Sequence, residues 1–411
     1  MSFPDSSVWL PISGGVAAPN GFRASGISAG LKASGKPDLA LIVAPEGAIC
    51  AGTFTNSVVR AACIDLCIDR LKKNNGKARA VLINSGQANA CTGERGLLDA
   101  LDASKALASR IDVTSDEILI CSTGVIGHPI SMKNLISGLS PLVENLSDID
   151  GTNAANAILT TDLTNKQLAF EVLLGHRRVR IGGMAKGSGM IHPDMATMLG
   201  FVTCDAGIPM KIWSNMVKRA VNDSFNAITV DGDTSTNDSF LAFSSGLPLD
   251  KKYFPTLELG LKMITKSLAK SIIRDGEGAN CLIQVEVQGA ETNLLAKIIA
   301  RTICSSSLVK TAIHGSDPNW GRIAAAAGRA GVQFDYKKMS IWIGPFQLID
   351  NGLPISFEAE MASAYMKEKI NTKTKDPLEI KLLIGDGVGQ AFAWGCDLSK
   401  EYIRINADYT T

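Results

Sequence analysis

Residues 182–200 read Gly-Gly-Met-Ala-Lys-Gly-Ser-Gly-Met-Ile-His-Pro-Asp-Met-Ala-Thr-Met-Leu-Gly, a glycine-dense loop holding Lys186 that runs into Ala196-Thr197 near the middle of the chain. A threonine behind a small residue can turn its hydroxyl on the peptide bond in front of it. Cleavage between Ala196 and Thr197 would leave a second chain beginning with Thr197. An N-terminal threonine carries its own general base, the α-amine, so its hydroxyl is a ready nucleophile. Without that chemistry the same residues read as a buried strand of small side chains. Gly182, Gly183, Gly187 and Gly189 would then be turns that need positive φ.

A nucleophile of this kind needs donors for the oxyanion it creates. Ser122-Thr123-Gly124 follow the apolar run Glu117–Cys121 and offer a hydroxyl and a backbone N–H. By themselves they are also a common turn. Residues 226–238 are dense in Asp, Thr and Asn. They suit a polar turn with side chain-to-backbone bonds, and they lack the closing glutamate of an EF-hand. Arg274-Asp-Gly-Glu277-Gly either caps a helix through Gly276 or presents Glu277 to a cationic amine. Asp317-Pro-Asn-Trp-Gly-Arg322 joins a turn to an aromatic and an arginine. Asn406-Ala-Asp-Tyr-Thr-Thr411 ends the chain in polar groups, where fraying is the default.

Other chemistries are disfavoured. Gly30-Leu-Lys-Ala-Ser-Gly-Lys36 approaches a phosphate loop, but Pro37 stands where the magnesium-binding hydroxyl belongs and no apolar strand leads in. The four histidines, His128, His176, His192 and His314, are far apart, which argues against a histidine triad. The nine cysteines show no Cys-x-x-Cys; Cys63 and Cys67 lack a second ligand pair, so no metal site is expected.

Several elements must position these groups. Ala80–Ser85 reads as a buried strand, and Glu117–Cys121 as another. A helix is expected over about 93–110 with Leu97, Leu101, Ala108 and Ile111 on its apolar face. Residues 208–221 read as a helix with Ile212, Met216, Val217 and Ala220 inward. Residues 255–273 form a stronger one, through Leu257, Leu261, Ile264, Leu268 and Ile272. Further helices are expected over 291–308 and 357–369, and alternating strands over 282–288 and 378–384. Strands and helices alternate without a regular βαβ beat, so the fold class is α/β of an irregular, α+β kind. No long linker marks a domain boundary.

The chain has 411 residues, 45% hydrophobic and 20% charged, which supports a large core. Lys+Arg number 41 and Asp+Glu 40. With no basic block, neither nucleic acid nor an anionic membrane is an expected partner. Residues 1–20 lack a signal-peptide pattern, and no run of about 18 apolar residues occurs. Scattered reduced thiols then fit a cytoplasmic protein.

Taken in order along nearly the whole chain, the motifs resemble the ornithine acetyltransferase family, the bifunctional glutamate N-acetyltransferase/amino-acid acetyltransferase of arginine biosynthesis. They are Gly21-Phe-Arg-Ala-Ser-Gly-Ile, Ala51-Gly-Thr-Phe-Thr-Asn, Asn84-Ser-Gly-Gln-Ala-Asn-Ala, Ser122-Thr-Gly-Val-Ile-Gly, Gly182-Gly-Met-Ala-Lys-Gly-Ser-Gly-Met-Ile, Asp194-Met-Ala-Thr-Met-Leu, Asp231-Gly-Asp-Thr-Ser-Thr-Asn-Asp, Arg274-Asp-Gly-Glu-Gly-Ala, Asp317-Pro-Asn-Trp-Gly-Arg and Asn406-Ala-Asp-Tyr. Each is weak; the ordered set is specific.

The resemblance implies a self-processing N-terminal-threonine acyltransferase fold, shared with a class of self-processing aminopeptidases. It implies cleavage at Ala196/Thr197 into an α chain, 1–196, and a β chain, 197–411. The two would intertwine in one protomer and assemble as an α₂β₂ heterotetramer. Thr197 resembles the nucleophile, and Thr123 and Gly124 the oxyanion pair. Thr160 or Thr161, Lys186, Thr197, Glu277, Asn406 and Thr411 resemble the substrate-binding set. The implied reaction moves an acetyl group from N-acetylornithine to glutamate, with no cofactor. Members with and without acetyl-CoA as a further donor share these motifs, so that donor stays open. Charge sign pairs Lys186 with a substrate carboxylate and Glu277 with an ammonium; the reverse pairing or a bridging water stays open as well. Asn280 and Cys281 depart from the family's usual Thr-Lys, and Thr410-Thr411 replaces its more usual Arg/Lys-Thr or Ser ending. The rival reading is a self-processing aminopeptidase or amidohydrolase with the same N-terminal threonine. A non-catalytic protein with a glycine-rich core is the more distant one.

Overall fold

A computed structural model describes residues 9–192, 198–371 and 376–408. Two β-sheets stack face to face, each backed by helices. The first has six strands in the order Leu10–Ile12, Lys166–Leu174, Arg177–Lys186, Leu199–Cys204, Ser239–Ser244 and Ile49–Phe54. The second has four: Arg23–Ile27, Leu39–Val43, Ala80–Gln87 and Ile118–Val125.

Side-chain alternation explains the layering. In Ser239–Ser244, Phe240 and Ala242 enter one core while Leu241 and Phe243 enter another. In Leu39–Val43, Ala40 and Ile42 meet Leu241 and Phe243 between the sheets, while Leu39, Leu41 and Val43 face the outer helices. Strands with both faces covered read as continuous apolar runs. The result is four layers: helices, sheet, sheet, helices.

The helices Met210–Asn222 and Phe254–Arg274 cover the six-stranded sheet. Leu257, Leu261, Ile264, Leu268 and Ile272 are all fully buried, as their spacing predicts. The helices Ala62–Lys73, Gly93–Ile111 and Met132–Glu144 cover the four-stranded sheet. In Gly93–Ile111 the inward face is Gly96, Ala100, Ala103, Ser104, Leu107 and Ala108, whereas Leu97 is exposed. The expected face is therefore rotated: mostly small residues let this helix lie close to its neighbours, with Leu107 buried among them and Leu97 and Leu98 exposed.

A second six-stranded sheet, ordered Leu353–Pro354, Phe346–Asp350, Ser340–Ile343, Leu378–Leu383, Leu282–Ala290 and Gly389–Cys396, builds the C-terminal part. The helices Asn293–Cys304, Ser307–His314 and Trp320–Gly328 cover its buried face. The single helix expected over 291–308 is broken at Ser305-Ser306. Adjacent serines compete for backbone hydrogen bonds, and Ser305 Oγ donates to Thr302 O at 3.2 Å. Leu378–Leu383 alternates buried and exposed, as expected. No helix among the described residues is long and apolar enough to cross a membrane.

Candidate active site

Strands from both stacked sheets end at one cavity. Its lining includes Thr123, Gly124, Thr160, Thr161, Lys186, Gly189, Met198, Asn237, Asp238, Glu277 and Asn406. Thr197, Ala196 and Thr411 lie outside the described residues. Every other expected site residue is therefore brought to one place, from five separate parts of the chain. The cavity encloses about 190 Å³, small beside the roughly 300–1,000 Å³ typical of sites for drug-sized ligands. That size suits an amino acid.

Thr123 and Gly124 are not in a turn after the strand but in its last residues, Ile118–Val125 running parallel to Ala80–Gln87 with Gly124 opposite Gly86. Gly124 has φ +126°, and a Cβ there would lie 2.3 Å from the Gly86 carbonyl carbon. Only glycine permits this close approach of the two strand ends. Asn237 ties the same corner down: its Nδ2 donates to Ser122 O at 2.9 Å and also to Ala88 O.

Lys186 ends Arg177–Lys186, and Leu199 opposite it begins Leu199–Cys204. Residues 187–198 thus join two adjacent antiparallel strands, and both ends of that connection reach the cavity. Met198, the residue after Thr197, lines it. Gly182 and Gly183 belong to the strand rather than to a loop. Gly182 is a packing glycine, since a Cβ there would meet Gly15 O at 1.9 Å. The loop proper begins only at Gly187.

Lys186 Nζ donates to Thr160 Oγ1 at 3.1 Å, so Thr160 is the member of the Thr160-Thr161 pair that touches it. Burial lowers the Lys186 pKa, and Asp162 opposes that shift. Asp162 Oδ1 accepts from Gly187 N at 2.7 Å and from Lys166 Nζ at 2.6 Å. Burial raises the Asp162 pKa, but Lys166 and Lys186 outweigh it and hold the carboxyl down to about 2. Lys166 Nζ also donates to Asp275 Oδ2 at 2.5 Å. This buried Asp162–Lys166–Asp275 chain links the Lys186 strand to the Glu277 turn. Ser188 reinforces the link: its Oγ donates to Asp275 O at 2.6 Å and its carbonyl accepts from Glu277 N at 3.0 Å.

Glu277 is buried, and its Oε2 accepts from Asn406 Nδ2 at 2.8 Å. Gly189 packs against this carboxylate; a Cβ there would lie 2.4 Å from Oε2. The polar run 226–238 cradles the loop from the other side. Asp231 accepts from Met190 N at 2.6 Å and Ile191 N at 2.9 Å, and Thr234 Oγ1 donates to His192 O at 3.0 Å. Its bonds to backbone thus run across the chain as well as within the expected turn, where Asp233 N donates to Asp231 Oδ1 at 3.2 Å and Asn237 N to Ser235 Oγ at 3.1 Å.

Asp317–Arg322 does not join the cavity. Asn319 Oδ1 caps the helix Trp320–Gly328 by accepting from Arg322 N at 3.1 Å. The departing Asn280 bonds through its backbone N and Nδ2 to the Asp397 carboxylate, at 2.7 and 2.8 Å. His314 Nδ1 lies 2.9 Å from the same carboxylate. Among the described residues, no cluster of three His, Cys, Asp or Glu is arranged to hold a metal ion. The nine cysteines are free thiols, eight of them buried. Motif reading missed Asp162, Lys166 and Asp275. The signal available was a lysine four residues after an aspartate in the Leu-Thr-Thr-Asp segment.

The cavity therefore gathers the Thr123-Gly124 strand end, the Lys186 ammonium and the Glu277 carboxylate, groups that suit small charged substrates. The chain belongs to the ArgJ family, which matches residues 23–411, and this is the family its ordered motifs resemble. It is 62% identical over 408 residues to the "Arginine biosynthesis bifunctional protein ArgJ" of Prochlorococcus marinus (strain MIT 9313), covering 99% of this chain and 96% of that one. The same-named protein of Synechocystis sp. is 50% identical, covering 98% and 99%. A crystal structure of ornithine acetyltransferase complexed with ornithine, from Mycobacterium tuberculosis, is 38% identical. It covers 46% of this chain and all of that one, with a TM-score of 0.43.

Proposed function

We propose that the chain transfers the acetyl group of N-acetylornithine to glutamate through an acetyl ester on Thr197, in arginine biosynthesis. The relatives' shared name supports the pathway. One observation carries the site assignment: Thr123, Gly124, Thr160, Thr161, Lys186, Glu277 and Asn406 line a single cavity with Met198, the neighbour of Thr197.

Maturation comes first. Thr197 Oγ attacks the Ala196 carbonyl, the acyl group passes from nitrogen to oxygen, and water hydrolyses the ester. The α chain 1–196 and β chain 197–411 remain intertwined and pair with a second copy as α₂β₂. The freed Thr197 amine then takes the hydroxyl proton as Oγ attacks the acetamide carbon of N-acetylornithine. The Thr123 hydroxyl and Gly124 N–H stabilise the oxyanion; one good donor of this kind contributes on the order of 3–4 kcal/mol. The C–N bond breaks, the amine returns the proton to the leaving nitrogen, and ornithine departs. Glutamate's amine attacks the acetyl ester by the same route reversed, releasing N-acetylglutamate and restoring Thr197. These steps use no cofactor and no metal. Lys186 holds a substrate carboxylate and Glu277 a substrate ammonium through charge-assisted hydrogen bonds. Thr411 adds to the substrate set at the chain end. The protein works in the cytoplasm.

Purified protein given N-acetylornithine and glutamate tests the reading. The expected result is N-acetylglutamate and ornithine in equal amounts with ping-pong kinetics. Free acetate without N-acetylglutamate would replace the transferase by an amidohydrolase. A parallel reaction with acetyl-CoA and glutamate decides whether that donor serves too.

A further inference from the structure

Lys32 has no part in the chemistry above, yet the fold delivers it to the same corner. Its loop wraps the buried Asp38 carboxylate, which accepts from the backbone N–H of Ala29 at 2.6 Å, Leu31 at 2.6 Å and Lys32 at 2.9 Å. Gln87 Nε2 donates to Leu31 O at 2.7 Å. These bonds lay the Lys32 stem on Gly86, where a Cβ would lie 3.4 Å from Lys32 Cγ. Gly86 is the partner of Gly124 in the oxyanion corner. The Lys32 ammonium then donates to Pro37 O and Leu159 O, each at 2.7 Å. Leu159 precedes Thr160, whose hydroxyl accepts from Lys186. Two lysines from distant parts of the chain are thus anchored on consecutive residues of one segment.

The two substrates differ in charge in a way one cation cannot serve. N-acetylornithine carries one carboxylate and a side-chain ammonium. Glutamate as acceptor carries two carboxylates. Lys32 is not among the residues that line the cavity but stands directly behind Thr160, which does; of the three donors of its ammonium, carbonyl oxygens take two. We infer that Lys32 determines acceptor specificity by binding the second carboxylate, the one glutamate has and ornithine lacks, while Lys186 binds the carboxylate common to both. The inference rests on the acetyl-transfer reading.

The surrounding charges fit this role. Burial lowers the Lys32 pKa to about 8; Asp38 and Asp162 oppose the shift, while Lys186 and Lys36 add to it. A lysine so placed can shed its proton when an ornithine ammonium lies nearby and hold it when a carboxylate arrives.

The test uses the cleaved protein and three variants, Lys32→Met, Lys32→Gln and Lys32→Arg. KM for glutamate and for N-acetylornithine are measured separately, with glutamine as an uncharged isostere of the acceptor. Lys32→Met and Lys32→Gln should raise KM for glutamate at least roughly tenfold more than KM for N-acetylornithine. Both should also narrow the preference for glutamate over glutamine. In the unaltered protein KM for glutamate should rise above pH about 8, and Lys32→Arg should remove that rise. Equal losses for both substrates, with the glutamate/glutamine ratio unchanged, would mean that Lys32 only braces its loop and would overturn the inference. So would an unchanged pH dependence in Lys32→Arg. An unaltered protein that transfers no acetyl group would remove the function reading and this inference together.

Discussion

At the scale of single residues, two glycines hold the site's geometry: Gly189, which bears no reactive group, and Gly124, whose N–H is itself assigned to the oxyanion. Gly189 leaves room for the Glu277 carboxylate, since a Cβ would overlap it at 2.4 Å from Oε2. Gly189→Ala should push Glu277 away from Asn406 and weaken a charge-assisted hydrogen bond. Such bonds contribute roughly 1.5–3 kcal/mol, so steady-state kinetics should show kcat/KM falling by about 10- to 100-fold with the chain still cleaved. Gly124→Ala is the harsher change, because its neighbour is the Gly86 backbone and φ is +126°. It should abolish both cleavage and transfer, read on a denaturing gel and in the transfer assay. Glu277→Ala should separate the two events: cleavage proceeds, while kcat/KM for transfer falls by roughly 2–5 kcal/mol of lost stabilisation. Unchanged kcat/KM would take Glu277 out of the site.

At the scale of elements, the buried chain Asp162–Lys166–Asp275 joins the strand that ends at Lys186 to the turn that carries Glu277. Lys166→Met would leave two buried carboxylates without their cation and should cost about 3–5 kcal/mol, measured by denaturant unfolding. The pH dependence has a definite sign. The Asp162 carboxyl is held below its ordinary 3.8, to about 2, so its contribution is present above 3.8 and lost as pH falls toward 2. Asp162→Asn should therefore flatten the acid limb of unfolding in that window. The Asp162–Lys166 half of this network sits at a four-residue spacing, but Asp275 was illegible because it lies 109 residues beyond Lys166, and only the packing of the helix Phe254–Arg274 on the six-stranded sheet brings it there. The helix Phe254–Arg274 was legible because its five apolar positions keep one period. The hairpin Lys166–Leu174 and Arg177–Lys186 was not. Gly182 and Gly183 lower β-propensity, yet here they are what lets the strand pack against Gly15 and the helix above. The motif residues themselves were legible through their order along the chain, since nothing local distinguishes Thr123-Gly124 from an ordinary turn.

At the scale of the whole molecule, cleavage and catalysis are assigned to one side chain. Thr197 lies outside the described residues, but the connection that contains it leaves Lys186 and returns at Leu199, both at the cavity. Intact-mass analysis should show fragments spanning 1–196 and 197–411, the second beginning Thr-Met-Leu-Gly. Thr197→Ala should stay whole and transfer nothing. The most direct test is the mass of the second fragment after mixing cleaved protein with N-acetylornithine in the absence of glutamate. The account predicts a single added acetyl group on the N-terminal Thr197 peptide, discharged when glutamate is supplied. An active protein whose second fragment never gains that group, or gains it on another residue, would contradict the account.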